Sequence, residues 1–182
     1  MTPRRILISG VTGSGKSTLA KAVSKTTGFP LIEVDEIAWL PGWSEPPVDE
    51  QETRIDRLTS QPAWVIDSDY RRFRHIIDAR TDLIVCLDYP RWLSLWRLST
   101  RCVKRGILGE PCCNGNRESI ARLLTRESII LWHFKSFGSK RKRIREWQSN
   151  SEAQVLVFRW PNQTVAWLKS LSPEGEPPDN DS

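Results

Sequence analysis

The segment "ISGVTGSGKSTLAKAV", Ile8 to Val23, constrains this chain more than any other: glycines, hydroxyl side chains and one lysine lie between an apolar run and a helix-like pattern. Glycine lacks a Cβ, so a Gly-rich turn can take left-handed backbone angles and bring several N–H groups onto one anion. Gly10, Gly15, Lys16 and Ser17 satisfy G-x-x-x-x-G-K-[ST] without a mismatch. The flanks suit the motif. "RRILISG" reads as a buried strand, and "KSTLAKAVSKTTG" as a helix closed by Gly28. The loop Gly10, Thr12, Gly13, Ser14, Gly15, Lys16, Ser17 and Thr18 is therefore expected to hold the phosphates of ATP. Lys16 would reach the β/γ-phosphates, and the Ser17 hydroxyl would ligate Mg2+. The alternative is a tight strand-to-helix turn carrying a surface lysine.

Strand and helix patterns alternate along the rest of the chain. "FPLIEVD" reads as a second strand ending in Asp35, followed by a loop "EIAWLPGWSEPP" and a helix "VDEQETRIDRLTSQ". "AWVIDSD" and "DLIVCLD" read as strands three and four, and "RWLSLWRLSTRCVKR" as a helix introduced by Pro90. A Gly/Pro/Cys/Asn loop over 106–116 precedes helical stretches from about Arg117 to Trp147. "AQVLVFRW" is a fifth strand and "NQTVAWLKSL" a last helix. This alternation predicts an α/β fold with a parallel sheet covered on both faces. Ligands of such sheets gather at the carboxyl ends of the strands, which puts the phosphate loop beside Asp35, Asp67 and the segment after Asp88.

Composition narrows the function classes. A chain of 182 residues suits one domain. No apolar run is long enough to cross a bilayer and no signal peptide precedes the first strand, so a cytoplasmic location is expected. The cysteines, Cys86, Cys102, Cys112 and Cys113, lack paired spacing and are expected as thiols; a zinc site with His133 would have no C-x-x-C anchor. Charge is uneven: residues 1–90 carry 11 basic and 13 acidic side chains, residues 91–172 carry 16 and 5, and residues 173–182 four acidic ones. The basic half suits a polyphosphate or a nucleic acid. The acidic tail, rich in Pro and Gly, is expected to be disordered.

"VIDSDYR" followed by "DLIVCLDYPRWLSLWRLSTR" resembles the corresponding parts of adenylate kinases and related nucleoside monophosphate kinases. With "DEIAWLPGW", "WVIDSDY" and "LWHFKSF", the chain resembles, from Arg4 to about Leu171, the adenylate-kinase-related proteins of DNA topology modulation type. The resemblance implies a P-loop NTPase fold over residues 1–172, strand order 2-3-1-4-5, helices on both faces and a helical lid at about 104–150. It implies that Asp67 orients hydrated Mg2+, that Arg71 binds an acceptor phosphate, that Arg97 and Arg101 border the nucleotide, and that Trp160 lies at the adenine loop. The related proteins carry Gly-Asn where this chain has Ser68-Asp69, so an extra negative charge is expected to repel an anionic acceptor.

Other side chains admit two readings. In "SKRKRIREW", Arg141 and Arg145 share a helix face and could close over the transferring phosphoryl group, bind nucleic acid, or be solvated. Trp92 and Trp96 are expected in or near the core, while Trp39 and Trp43 either stack on an acceptor ring or pin a loop. His75 and His133 are read as structural. The function expected is transfer of the γ-phosphoryl of Mg-ATP to a small acceptor. A nucleoside monophosphate ranks first because of Arg71. A hydroxyl compound follows, deprotonated by Asp35, while Arg72 and Arg74 are further candidates for an acceptor phosphate. The competing class is a nucleotide-dependent regulatory or nucleic-acid-associated protein. It ranks behind because no helix-turn-helix or RNA-binding aromatic signature is present. Nothing in the pattern bears on oligomeric state.

Overall fold

The computed structural model of the chain describes residues 3–108, 114 and 129–171. Five short apolar runs form one parallel sheet: β1 (Arg5–Gly10), β2 (Leu31–Ile32), β3 (Trp64–Ile66), β4 (Leu83–Leu87) and β5 (Gln154–Phe158). Their order, β2-β3-β1-β4-β5, is the expected 2-3-1-4-5. Leu7 of β1 pairs in register with Ile66 of β3 on one side and Ile84 of β4 on the other. The helices are α1 (Lys16–Thr27), α2 (Val34–Ala38), α3 (Val48–Thr59), α4 (Arg74–Asp78), α5 (Arg91–Leu108), α6 (Ile129–Asn150) and α7 (Pro161–Ser170). Single 3-10 turns occupy Pro41–Trp43 and Arg71–Phe73.

Side chains alternate across a strand, and both faces of this sheet are apolar because both are covered. Leu7, Ile66 and Ile84 pack on one face with Ile37 of α2, Ile55 of α3, Ile77 of α4, and Ile144 and Trp147 of α6. Ile6, Ile8, Val65 and Val85 pack on the other with Leu19, Ala20 and Val23 of α1, against which Trp167 and Leu168 of α7 rest. Trp64 is fully buried, and its indole N–H is satisfied by the Thr59 carbonyl at 3.0 Å. At the amino ends of the strands, Asp82 accepts the Arg4 and Arg5 amides at 3.1 and 3.0 Å and the Arg5 guanidinium at 2.7 Å. Burial pushes the Asp82 carboxyl up, but these hydrogen bonds outweigh it and hold the group below its ordinary range.

Three expectations are corrected. Strand two does not run to Asp35: the ladder ends at Ile32, the Val34 amide donates to Asp67 Oδ1 at 3.2 Å, and α2 starts there. Asp35 thus lies in a helix's first turn. Trp92 and Trp96 are not in the core; they are 64% and 66% exposed, because α5 turns Ser94 and Leu98 inward. Residues 106–108, expected to open a loop, belong to α5, which runs to Leu108. Much of the expected lid, the tail from 173, and the side chains of Cys102, Cys112, Cys113 and His133 lie outside the described residues.

Candidate functional site

The loop leaving β1 lies at the carboxyl edge of the sheet, and its shape depends on two glycines. Gly13 and Gly15 have φ of +83° and +92°, in the left-handed region. Gly13 also lies so close to α5 that a Cβ would be 2.3 Å from the Ser94 carbonyl oxygen. The Ser14 amide turns back to the Val11 carbonyl at 3.1 Å, and α1 begins at Lys16. The Ser14 hydroxyl is buried without a hydrogen-bond partner among the described residues. A cradle of amides at a helix N-terminus, with a spare buried hydroxyl, suits phosphate oxygens.

Lys16 lies between two carboxylates. Burial lowers the proton affinity of its ammonium, while Asp35 and Asp67 support its charge. Asp67, one residue past β3, is buried; desolvation pushes its carboxyl above the ordinary range, against hydrogen bonds from the Ser17 hydroxyl and the Val34 amide. Ser17 and Asp67 are thus two hard oxygen donors in one place. Among the described residues no group of three or more His, Cys, Asp or Glu could cage an ion. Two protein oxygens beside a phosphate cradle fit Mg2+, which keeps waters and phosphate oxygens in its shell. Asp35 accepts the Tyr70 hydroxyl at 2.5 Å. Tyr70 was not singled out from the sequence, although it stands three residues past Asp67.

A cleft of about 430 Å³ opens beside the loop, bounded by Gly13, Gly15, Thr18, Tyr89, Arg97 and Arg101, with Pro161 and Val165 of α7 across it. Arg97 donates to the Ser14 carbonyl at 3.2 Å and lies 5.6 Å from the Tyr89 ring centroid. Arg101 has a buried Nε without a partner among the described residues. Trp160, the residue before α7, is 48% exposed and adjoins the cleft through Pro161 without lining it. A larger polar hollow, about 900 Å³, lies at the opposite, amino end of the strands between Arg5, Asp82, Asp78 and Arg143, away from the loop.

The arginines divide. Arg71 is exposed with no polar partner among the described residues. Arg72 pairs with Glu45 at 3.1 Å and Gln51 at 3.0 Å, and Arg74 with Asp69 at 3.3 Å. Arg141 donates to Asp88 at 2.7 Å, and Arg145 faces solvent. Asp69 does not present the bare negative charge expected of it. Its side chain is 1% exposed, accepts the Ser9 hydroxyl at 3.0 Å, and is paired with Arg74 and Lys140. Trp39 and Trp43 pack edge to face with ring centroids 5.7 Å apart. Asn114 ties their loop down by donating to the carbonyls of Glu36 at 2.9 Å and Trp39 at 2.6 Å.

The model of the ATPase family associated with various cellular activities (AAA) matches residues 6–83, from β1 to the start of β4. No curated protein matches the sequence significantly. Among solved structures, shikimate kinase from Acinetobacter baumannii in complex with shikimate superposes with a TM-score of 0.60 at 18% identity, over 93% of this chain and 91% of that one. Shikimate kinase from Bacteroides thetaiotaomicron gives 0.54 at 18%, over 93% and 97%. A gluconokinase from Sinorhizobium meliloti 1021 gives 0.51 at 18%, over 93% and 94%. With the strand order and the loop geometry, these likenesses show an α/β P-loop NTPase fold.

Proposed function

We propose that this protein is an ATP-dependent kinase that phosphorylates an alcohol hydroxyl of a small acceptor. The observation that carries the reading is Asp35: a carboxylate beside the phosphate-loop lysine, oriented by the Tyr70 hydroxyl. A phosphate acceptor is already an anionic nucleophile and needs no base, whereas a hydroxyl acceptor gains from a carboxylate that takes its proton. Asp35 would accept that proton as the acceptor oxygen bonds to the γ-phosphorus and the bond to the β–γ bridging oxygen breaks, releasing ADP. Lys16 and Arg101 would hold the charge that spreads over the γ- and β-oxygens. Ser17 and Asp67 would hold Mg2+, which would supply charge neutralisation at the phosphates. The solved structures of similar fold include kinases named for shikimate and gluconate, which are hydroxy acids, and this supports the order of the two readings.

A nucleoside monophosphate, within an adenylate-kinase-related type, is the second reading, favoured by Arg71, which is exposed and uncommitted among the described residues. Transfer of labelled γ-phosphate from Mg-ATP to a panel of polyols, hydroxy acids and nucleoside monophosphates separates the two. Asp35→Asn should lower phosphorylation of the alcohol acceptor by about 10²–10⁴-fold, the usual worth of a general base. Activity confined to monophosphates, lost in Arg71→Ala and intact in Asp35→Asn, would establish the second reading and overturn the first.

A further inference from the structure

The basic helix α6 meets the phosphate site through one residue that its charge run does not distinguish. Lys140 pairs with Asp69 Oδ1, and that same oxygen accepts the hydroxyl of Ser9, the residue before Gly10 of the loop. The node is built and buried: Asp69 is 1% exposed, Lys140 23%, and Arg74 closes the other carboxylate oxygen at 3.3 Å. An ionised carboxylate this deep is tolerated only when cations and donors fill its lone pairs, and here two cations and a hydroxyl do so. The neighbouring Arg141 takes another course, with its guanidinium on Asp88 and 44% of its side chain exposed.

We propose that Lys140 is a γ-phosphate-binding residue of this site and that Asp69 is the positioning residue that holds its ammonium at the mouth of the phosphate loop. An ammonium carries three donors, and among the described residues Asp69 takes one, which leaves two for phosphoryl oxygens. Ser9 is the penultimate residue of β1 and Asp69 lies three residues past β3, so this node, and Lys140 with it, stands at the carboxyl edge of the sheet where the phosphate loop begins. The inference rests on the nucleotide-binding reading and not on the identity of the acceptor.

Calorimetric titration of Mg-ADP and of the non-hydrolysable β,γ-imido analogue of Mg-ATP tests it, because only the triphosphate offers a γ-group. Lys140→Ala should lower the preference for triphosphate over diphosphate by about tenfold or more, the worth of a charge-assisted hydrogen bond, with diphosphate affinity nearly unchanged. Lys140→Arg should keep the preference. The double variant Lys140→Ala/Asp69→Asn removes the buried charge with its partner, so it folds where the single variant fails, and it should show the same loss. Asp69→Asn alone should lose part of the preference. An unchanged preference in folded Lys140→Ala or in the double variant would overturn the proposal, and so would an equal fall in both affinities, which marks a purely structural pair. Wild-type protein that binds neither nucleotide would overturn the underlying reading as well, a result distinct from all of these.

Discussion

Gly13→Ala measures how tightly the phosphate loop is moulded onto α5. At φ of +83° an alanine meets the left-handed penalty of about 1–2 kcal/mol. Its Cβ would also lie 2.3 Å from the Ser94 carbonyl oxygen and 2.9 Å from Leu98 Cβ. Both belong to a helix, so neither can swing aside, and overpacking of this kind costs about 1–3 kcal/mol more. Gly28→Ala is the matched control: φ is +72° and nothing lies within 4 Å of the new methyl, so only the backbone penalty applies. For a domain of this size 1 kcal/mol moves Tm by roughly 2–4 °C. Gly28→Ala should therefore lower Tm by about 2–8 °C, and Gly13→Ala, at about 2–5 kcal/mol in all, by about 4–20 °C. Thermal unfolding of the two variants, with ATP titration of each at a temperature where both are folded, reads the result. Gly13→Ala should also bind ATP more weakly, since the loop amides must shift, whereas Gly28→Ala should not. Equal losses of Tm in the two variants would refute the close contact between loop and helix.

Lys16→Ala should weaken Mg-ATP binding by about tenfold or more, because it deletes the ammonium that the loop directs at the phosphates; unchanged affinity and turnover on titration would overturn the assignment. Asp67→Asn should keep the fold, since an amide oxygen can still accept the Val34 N–H, but should depress Mg2+ affinity and phosphoryl transfer. Burial raises the Asp67 pKa, and Mg2+ needs the ionised form, so metal affinity should fall on acidification already above the pH of an ordinary aspartate, with one proton taken up. In the metal-free protein the same shift means that the native state binds the proton more tightly than the unfolded chain. Stability should therefore fall as pH rises from the ordinary carboxylate value to the raised one. A pH series of Mg2+ titrations and melting curves in which wild type and Asp67→Asn coincide would contradict this.

The strands were legible where burial is complete on both faces, because "RILISG" and "LIVCL" leave an apolar run no other comfortable place. The end of β2 was not legible, since it depends on Asp67 capturing the Val34 amide from a strand 33 residues away. Nor was the orientation of α5. Spacing of four puts Trp92 and Trp96 on one face but does not say which face is inside; in the structure the buried face carries Ser94 and Leu98, packed against the loop at Gly13. The phosphate cradle is a local motif and could be read directly. Tyr70 on Asp35, and Lys140 on Asp69 across 71 residues, are tertiary pairings that no local pattern announces.

Part of the uneven charge has an internal explanation. An acidic amino-terminal half and a basic remainder suggest a search for an external polyanion, yet the basic run of α6 is largely engaged within the fold. Lys140 meets Asp69, Arg141 meets Asp88 and Arg143 meets Asp78, so the helix is latched to carboxylates after β3, after β4 and at the end of α4. Partly exposed pairs of this sort contribute about 0–1 kcal/mol each, so they fix the seat of the helix more than they hold the domain together, and Ile144 and Trp147 supply the apolar anchorage. The Asp69 node is different, because removing one partner strands a buried charge at a cost of about 3–5 kcal/mol. Among the described residues Lys16, Arg101, Lys140 and Arg71 are the cations that the proposed site would offer a ligand. Under the proposed function that arrangement would concentrate positive charge at one point, where a terminal phosphate and its acceptor meet.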